Sequence, residues 1–136
     1  ERLLQHNRQA VIVWQHIGWD NVGQMTIDLL RRMLADHPNL YLGFKIEERP
    51  YQVGTREPMP NRMVDEQNTI KPEWKQFFTD FPDRFLVACD QFVGIPGKTV
   101  RPPQYIEETW TAIQQLPADV ITKIGRENAV KLYHLE

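Results

Sequence analysis

Three short apolar runs limit the folds available to this chain more than any other feature of its sequence. They are rich in β-branched and aromatic residues and occupy residues 11–16, 40–46 and 85–90. Runs of this length that are apolar almost throughout are typical of strands covered on both faces, as in parallel sheets. Because helix-patterned segments separate the runs, the chain has the strand–helix–strand order that favours parallel pairing.

The helix-patterned segments are defined by apolar residues at helical spacing and by prolines. Ile27, Leu30 and Leu34 predict an amphipathic helix that ends near Asp36, just before Pro38. Further helices are predicted in residues 1–9 as the end of a helix, from Pro72, over Ile106, Trp110 and Ile113 as a core-facing stripe, from Pro117, and over residues 128–135. The predicted order is therefore β-α-β-loop-α-β-α-α, which belongs to the α/β class.

Residues 47–70 form a long stretch without a clear hydrophobic period. They are mostly polar and include Pro50, Gly54, Pro58 and Pro60. A loop of this length in a compact domain is usually either functional or disordered. We therefore predict a long loop between the second apolar run and the helix that begins at Pro72.

Length and composition indicate one domain with no nucleic-acid or membrane partner. The chain has 136 residues, and its 16 basic and 18 acidic residues give a net charge of −2. No run approaches the ~18 apolar residues of a membrane helix. The single cysteine, Cys89, allows no internal disulfide, so we expect a reducing compartment, the cytoplasm.

Three strands are few for a sheet as apolar as this one. Strands that are apolar on both faces need helices on each side and neighbouring strands along both edges. The sequence therefore favours part of a larger sheet or barrel.

Two of the apolar runs end on residues that can hold a metal ion or move a proton. The first ends at His16, which Gly18 follows closely, and the third ends at Asp90. Because chemistry in parallel α/β folds occurs at the carboxyl ends of the strands, we expect these two side chains to face a shared cavity. The alternatives are a histidine hydrogen-bonded beneath a loop and a carboxylate that is solvated or caps a turn.

The order of these segments resembles the metal-dependent hydrolases of the amidohydrolase type. Residues 11–18, with the following helix and residues 34–42, are similar to the sixth and seventh strand region of those barrels. Residues 82–90, in which Arg84 precedes the strand and Asp90 ends it, resemble the eighth strand, and residues 116–133 resemble the closing helices. The resemblance implies that residues 1–136 are one segment, the C-terminal half of a TIM-type eight-stranded (β/α) barrel. The family's His-x-His pair and the metal ligands of its middle strands are missing from this segment.

The same resemblance implies a site and a reaction. Asp90 would bind a divalent metal ion, for which zinc is the expected identity, and would accept a proton from metal-bound water. His16 would be a second ligand or would polarise the substrate carbonyl. The reaction would be attack of water on an amide, ester or related carbonyl of a small molecule, or a related decarboxylation.

Other residues near the strand ends are weaker candidates for the site. Trp19 is expected to line the substrate pocket, with simple cover of the barrel end as the alternative. Arg49, like Arg62 in the same long loop, is expected to bind a substrate carboxylate through paired hydrogen bonds, although loop arginines are usually solvated. Lys45 and Glu47 close the second strand, and one of them can face the site.

A second hypothesis is a non-catalytic α/β binding or oligomerisation module. In that case another copy of the chain would supply the missing strands and form a homo-oligomer. A nucleotide-binding fold ranks last because no glycine-rich turn of the required form follows the first strand. A His-x-His motif upstream of these residues would favour the enzyme over the module.

Overall fold

The computed structural model describes residues 1–46, 57–88 and 106–135. The strands in these residues are β1 (Ile12–Ile17), β2 (Leu40–Phe44) and β3 (Phe85–Val87). The helices are α1 (Arg2–His6), α2 (Ile27–Asp36), α3 (Pro72–Asp80), α4 (Ile106–Ile113), α5 (Ala118–Thr122) and α6 (Asn128–Tyr133). A 3₁₀ turn at Pro82–Arg84 precedes β3, and a π-helical segment at Lys123–Glu127 joins α5 to α6.

The three strands form one parallel sheet in the order β1-β2-β3. Trp14 of β1 is paired with Leu42 of β2, and Leu42 is paired with Phe85 of β3. The α/β class and the parallel pairing predicted from the sequence are therefore confirmed. Within the described residues the sheet is open, and its closure into a barrel stays a prediction.

The strand boundaries differ from the predicted runs by a few residues. β1 extends to Ile17, which pairs with Phe44 after a register shift that follows Trp14. β2 ends at Phe44 rather than at residue 46. β3 is assigned as far as Val87, and residues 89 and 90 of the predicted third run lie outside the described residues.

The helices α2 and α3 begin where the sequence predicts because each has a residue suited to a helix start. Thr26 Oγ1 accepts a hydrogen bond from the Leu29 amide at 3.2 Å, and Pro72 occupies the first turn of α3. The residues they bury are Leu30, Met33 and Leu34 from α2 and Trp74, Phe77 and Phe78 from α3. These apolar faces supply much of the core.

An aromatic cluster packs α3 against the sheet. The ring centre of Phe78 lies 4.6 Å from that of Phe85 on β3 and 4.9 Å from that of Phe44 on β2. Phe77 also contacts Phe85, edge to face, at 5.1 Å. Rings at these separations attract one another beyond the effect of their buried area, so the cluster holds one face of β2 and β3 in place.

The described part of the predicted long loop, residues 57–70, contributes to the core. Met59, Met63, Val64 and Ile70 are buried, and Val64 forms an isolated antiparallel bridge with Ile70. The sequence pattern missed this contribution because these apolar residues follow neither the helix nor the strand period.

Helix α4 forms as predicted, but its apolar stripe is only partly buried. Ile113 is fully buried, whereas Trp110 is 47% exposed and Ile106 is 37% exposed. The prediction that all three residues face the core is therefore wrong. Trp110 instead lies beside Gly125 of the π-helical segment, close enough that a Cβ at that glycine would be 2.8 Å from Trp110 Cζ3.

Hydrogen bonds from side chains fix the ends of the strands to their surroundings. Arg84 donates to the carbonyl of Leu40 at 2.8 Å and to that of His37 at 2.6 Å, which links the start of β3 to the turn before β2. Asn128 of α6 donates to the carbonyl of Phe85 at 2.8 Å. None of the helices in the described ranges has the length and apolar character needed to span a membrane.

Candidate functional site

The carboxyl ends of the three parallel strands lie along one edge of the sheet, and His16 stands at that edge. His16 has a φ of 66°, in the left-handed region that residues other than glycine seldom adopt. It lies where the pairing of β1 with β2 shifts in register. Backbone strain of this kind often accompanies a functional site, and the role predicted for His16 stays a prediction.

The turn after His16 brings Trp19 back toward the strand end. The Trp19 amide donates to the His16 carbonyl at 3.1 Å, and the two ring centres are 5.9 Å apart. Gly18, with a φ of 93°, allows this turn because a Cβ there would lie 3.0 Å from the Lys45 carbonyl oxygen. The loop after β1 is therefore held directly against the end of β2.

Lys45 follows β2 and is fully buried beside this turn. Its Nζ lies 3.9 Å from the centre of the Trp19 ring, and its amide donates to the Ile17 carbonyl at 3.3 Å. An ammonium group over an indole face is attracted by the ring, by about 2 kcal/mol when both are desolvated. His16, Trp19 and Lys45 thus form one cluster, which we call the strand-end cluster.

The indole nitrogen of Trp19 is a buried donor within the strand-end cluster. Trp19 Nε1 has no hydrogen-bond acceptor among the residues that the structure describes. A buried donor left without an acceptor costs about 1–3 kcal/mol, so such groups are rare and call for an explanation. An acceptor oxygen on a bound ligand would satisfy this N–H.

Asp20 fixes the loop that carries Trp19, and the sequence analysis did not identify it. Its carboxylate is fully buried and accepts hydrogen bonds from the amides of Val22 (3.1 Å), Gly23 (2.8 Å), Gln24 (3.2 Å) and Met25 (2.9 Å) and from Asn61 Nδ2 (2.7 Å). The available signal was an aspartate followed three residues later by glycine, which is typical of a turn closed by the side chain.

The pKa of Asp20 reflects two opposing influences. Burial disfavours the charged carboxylate and raises its pKa, but the hydrogen bonds from Asn61 and from the loop amides outweigh burial. The net effect is a pKa below the ordinary value of 3.8. Asp20 is therefore a charged structural anchor of the loop at neutral pH.

Of the other predicted site residues, Arg62 is described and does not belong to the strand-end cluster, whereas the rest fall outside the described ranges. Asp90, Arg49, Glu47 and Cys89 lie there, so the predicted pairing of His16 with Asp90 stays a prediction. Within residues 1–46, 57–88 and 106–135, no group of three or more His, Cys, Asp or Glu side chains is arranged to hold a metal ion. The strand-end cluster alone is thus not a complete metal site.

Comparison with known proteins adds no assignment. No protein-family model matches the chain, and neither the curated proteins nor the solved structures gave a significant match.

Proposed function

We propose that this chain is the C-terminal part of a metal-dependent hydrolase of the amidohydrolase type, acting on a small molecule in the cytoplasm. The observation that carries the proposal is the buried N–H of Trp19, which lacks an acceptor in the described residues and lies beside His16 at the carboxyl edge of a parallel sheet. Donors held in water-excluded sites at this edge are suited to an oxygen on which negative charge develops.

The chemistry that suits the strand-end cluster is attack of water on a carbonyl carbon. In this proposal the Trp19 N–H donates to the substrate carbonyl oxygen and stabilises it as it becomes negative. His16 would be a ligand of the metal ion in this proposal, and Asp90 would accept the proton from the attacking water. Lys45, packed on the indole face, holds the Trp19 ring in position.

A divalent ion, with zinc as the expected identity, would supply activated water at this site. An imidazole nitrogen is a ligand that zinc prefers, so His16 is chemically suited to bind the ion. A single ligand does not hold a metal ion, and the described ranges contain no group of three side chains arranged as ligands. The proposal therefore assigns the remaining donors to Asp90 and to strands beyond this segment.

The open edge of β1 supports a larger barrel around these residues. β2 is almost fully buried, whereas Ile12, Val13 and Trp14 of β1 are only partly buried. In a (β/α)₈ barrel every strand has two neighbours, so a preceding strand would cover this edge. The proposal therefore places β1, β2 and β3 as the last three strands of the barrel.

The metal content of the full-length protein tests the proposal. His16→Asn is the informative variant, because asparagine tolerates the left-handed backbone of His16 but removes the imidazole. His134→Asn is its matched control, since His134 is exposed and also has a positive φ, of 54°. After purification in the presence of zinc, we expect elemental analysis to find bound zinc in the wild type and in His134→Asn, and much less in His16→Asn and Asp90→Asn.

Two results would contradict the proposal. The first is a wild-type protein that retains no divalent metal, which would favour the non-catalytic module. The second is equal metal content in all four proteins, which would show that neither His16 nor Asp90 is a ligand.

A further inference from the structure

A cleft lies between the first turns of α2 and α3. It has a volume of about 350 Å³, which suits a small organic molecule. Ile27 of α2 and Trp74 of α3 form apolar parts of its wall, and Arg62 and Lys71 add two cationic groups. The cleft shares no lining residue with the strand-end cluster.

Arg62 is the unusual residue of this cleft. Its Nε is buried and has no hydrogen-bond acceptor among the described residues. A guanidinium donor is costly to bury without an acceptor, and its planar fork fits a carboxylate well. The neighbouring Asn61 and Met63 hold the backbone on both sides of Arg62, since Asn61 donates to Asp20 and Met63 is buried.

The first turn of α3 lines the cleft through Glu73 and Trp74. Lys71 precedes the helix without making a side-chain cap, and Pro72 at the first position has no N–H. The uncapped first turn therefore reinforces the preference of Arg62 for a negatively charged group.

The remaining charges limit the anion that fits. Asp28 and Glu73 are exposed at the cleft and balance the charges of Arg62 and Lys71. A dianion such as phosphate would meet no net positive charge, whereas a single carboxylate can be bound by Arg62 locally. The apolar wall from Ile27 and Trp74 suits an apolar body attached to that carboxylate.

We propose that this cleft binds a small monocarboxylate with an apolar body, with Arg62 as the residue that recognises the carboxylate. The inference does not depend on the proposed hydrolase site, because neither His16 nor a metal ion takes part in it.

Benzoate is the probe for this cleft. Titration of the ¹⁵N-labelled chain at constant ionic strength, followed by NMR, is expected to give saturable shifts of the Arg62 Nε–H and of the Glu73 and Trp74 amides. Arg62→Gln is expected to bind benzoate at least about tenfold more weakly, because a charge-assisted hydrogen bond is lost. Arg62→Lys, which keeps the charge but not the fork, should also bind more weakly than the wild type.

Arg126→Gln is the matched control, since Arg126 is exposed and does not line the cleft. It is expected to bind benzoate as the wild type does. Dispersed amide spectra of each variant establish that it is folded, and Arg62→Lys keeps the test decisive if Arg62→Gln unfolds. Linear, non-saturating shifts, or equal affinity in the Arg62 and Arg126 variants, would overturn the inference. Tighter binding of inorganic phosphate than of benzoate would overturn the assignment to a monocarboxylate.

Discussion

The carboxylate of Asp20 accepts every hydrogen bond it makes, and an amide replaces such a group poorly. In Asp20→Asn the new amide nitrogen would face either the loop amides or Asn61 Nδ2, all of which are donors. We expect this variant to lower the free energy of unfolding by about 2–4 kcal/mol. Urea denaturation measures it, with Asp119→Asn as the control, since Asp119 is exposed and should change stability little.

The lowered pKa of Asp20 also predicts how stability depends on pH. Because its pKa in the folded chain is below the ordinary 3.8, folding favours the charged form. The stabilisation is complete above about pH 4 and is lost as the pH falls through the folded-state pKa. The wild type should therefore lose more stability than Asp20→Asn between about pH 4 and pH 2. Urea denaturation at each pH measures the free energy of unfolding of both proteins. An equal loss of stability in the wild type and in Asp20→Asn would contradict this prediction.

For single residues, the sequence predicts which side chains stand near the strand ends better than it predicts what surrounds those side chains. His16 lies one residue before the end of β1, close to the predicted strand end, because β-branched and aromatic residues favour a strand. The hydrogen bond from Asn61 to Asp20 joins residues 41 positions apart, and the Trp19 N–H has no acceptor among the described residues. The local pattern of Asp20 and Gly23 indicates the turn itself, but no local pattern indicates the distant contact with Asn61 or the environment of the Trp19 N–H.

At the level of secondary structure, Gly125 of the π-helical segment is packed against Trp110 of α4. Replacing an exposed helical glycine by alanine usually stabilises a helix by about 0.5–1 kcal/mol. Here a Cβ would lie 2.8 Å from Trp110 Cζ3, so the indole would have to move. We expect Gly125→Ala to destabilise the wild type, and the free energy of unfolding by urea measures the change.

The Trp110→Ala background separates propensity from packing at this contact. Without the indole, Gly125→Ala should stabilise the chain. The change in the free energy of unfolding caused by Gly125→Ala would then have opposite signs in the two backgrounds, which means that the two substitutions are coupled. If Gly125→Ala stabilises the chain in both backgrounds, Trp110 does not pack against Gly125 in solution.

The helices and strands that the sequence predicts well are those with strong local signals. α2 follows from its apolar spacing, α3 follows from its apolar residues and Pro72, and β2 follows from its apolar run. The prediction was wrong for the burial of α4, because periodicity identifies an apolar face without identifying what covers it. Trp110 follows the helical period of α4, yet about half of this residue is exposed to solvent.

For the whole molecule, the sheet formed by the described residues has two edge strands, the longer β1 and the three-residue β3. Among the described residues β1 pairs with β2 alone, and Val11, just before β1, is 54% exposed. An apolar strand with an uncovered edge is a site where chains pair with one another. The sequence indicates a need for further strands, since three strands covered on both faces need more neighbours than they provide for one another, and the sheet of the described residues is open.

We therefore expect the 136-residue chain to self-associate through β1. Val13→Lys should weaken this association at least about tenfold, because a charged side chain on the edge opposes pairing. Val13 is partly exposed and is not among the residues packed against the core, so the substitution should leave the fold intact. Val22→Lys is the matched control, as Val22 is 75% exposed and lies in the loop after β1. Sedimentation velocity over a range of concentrations measures the association. A monomeric wild type, or equal association of the two lysine variants, would mean that the β1 edge is not the surface through which the chain pairs.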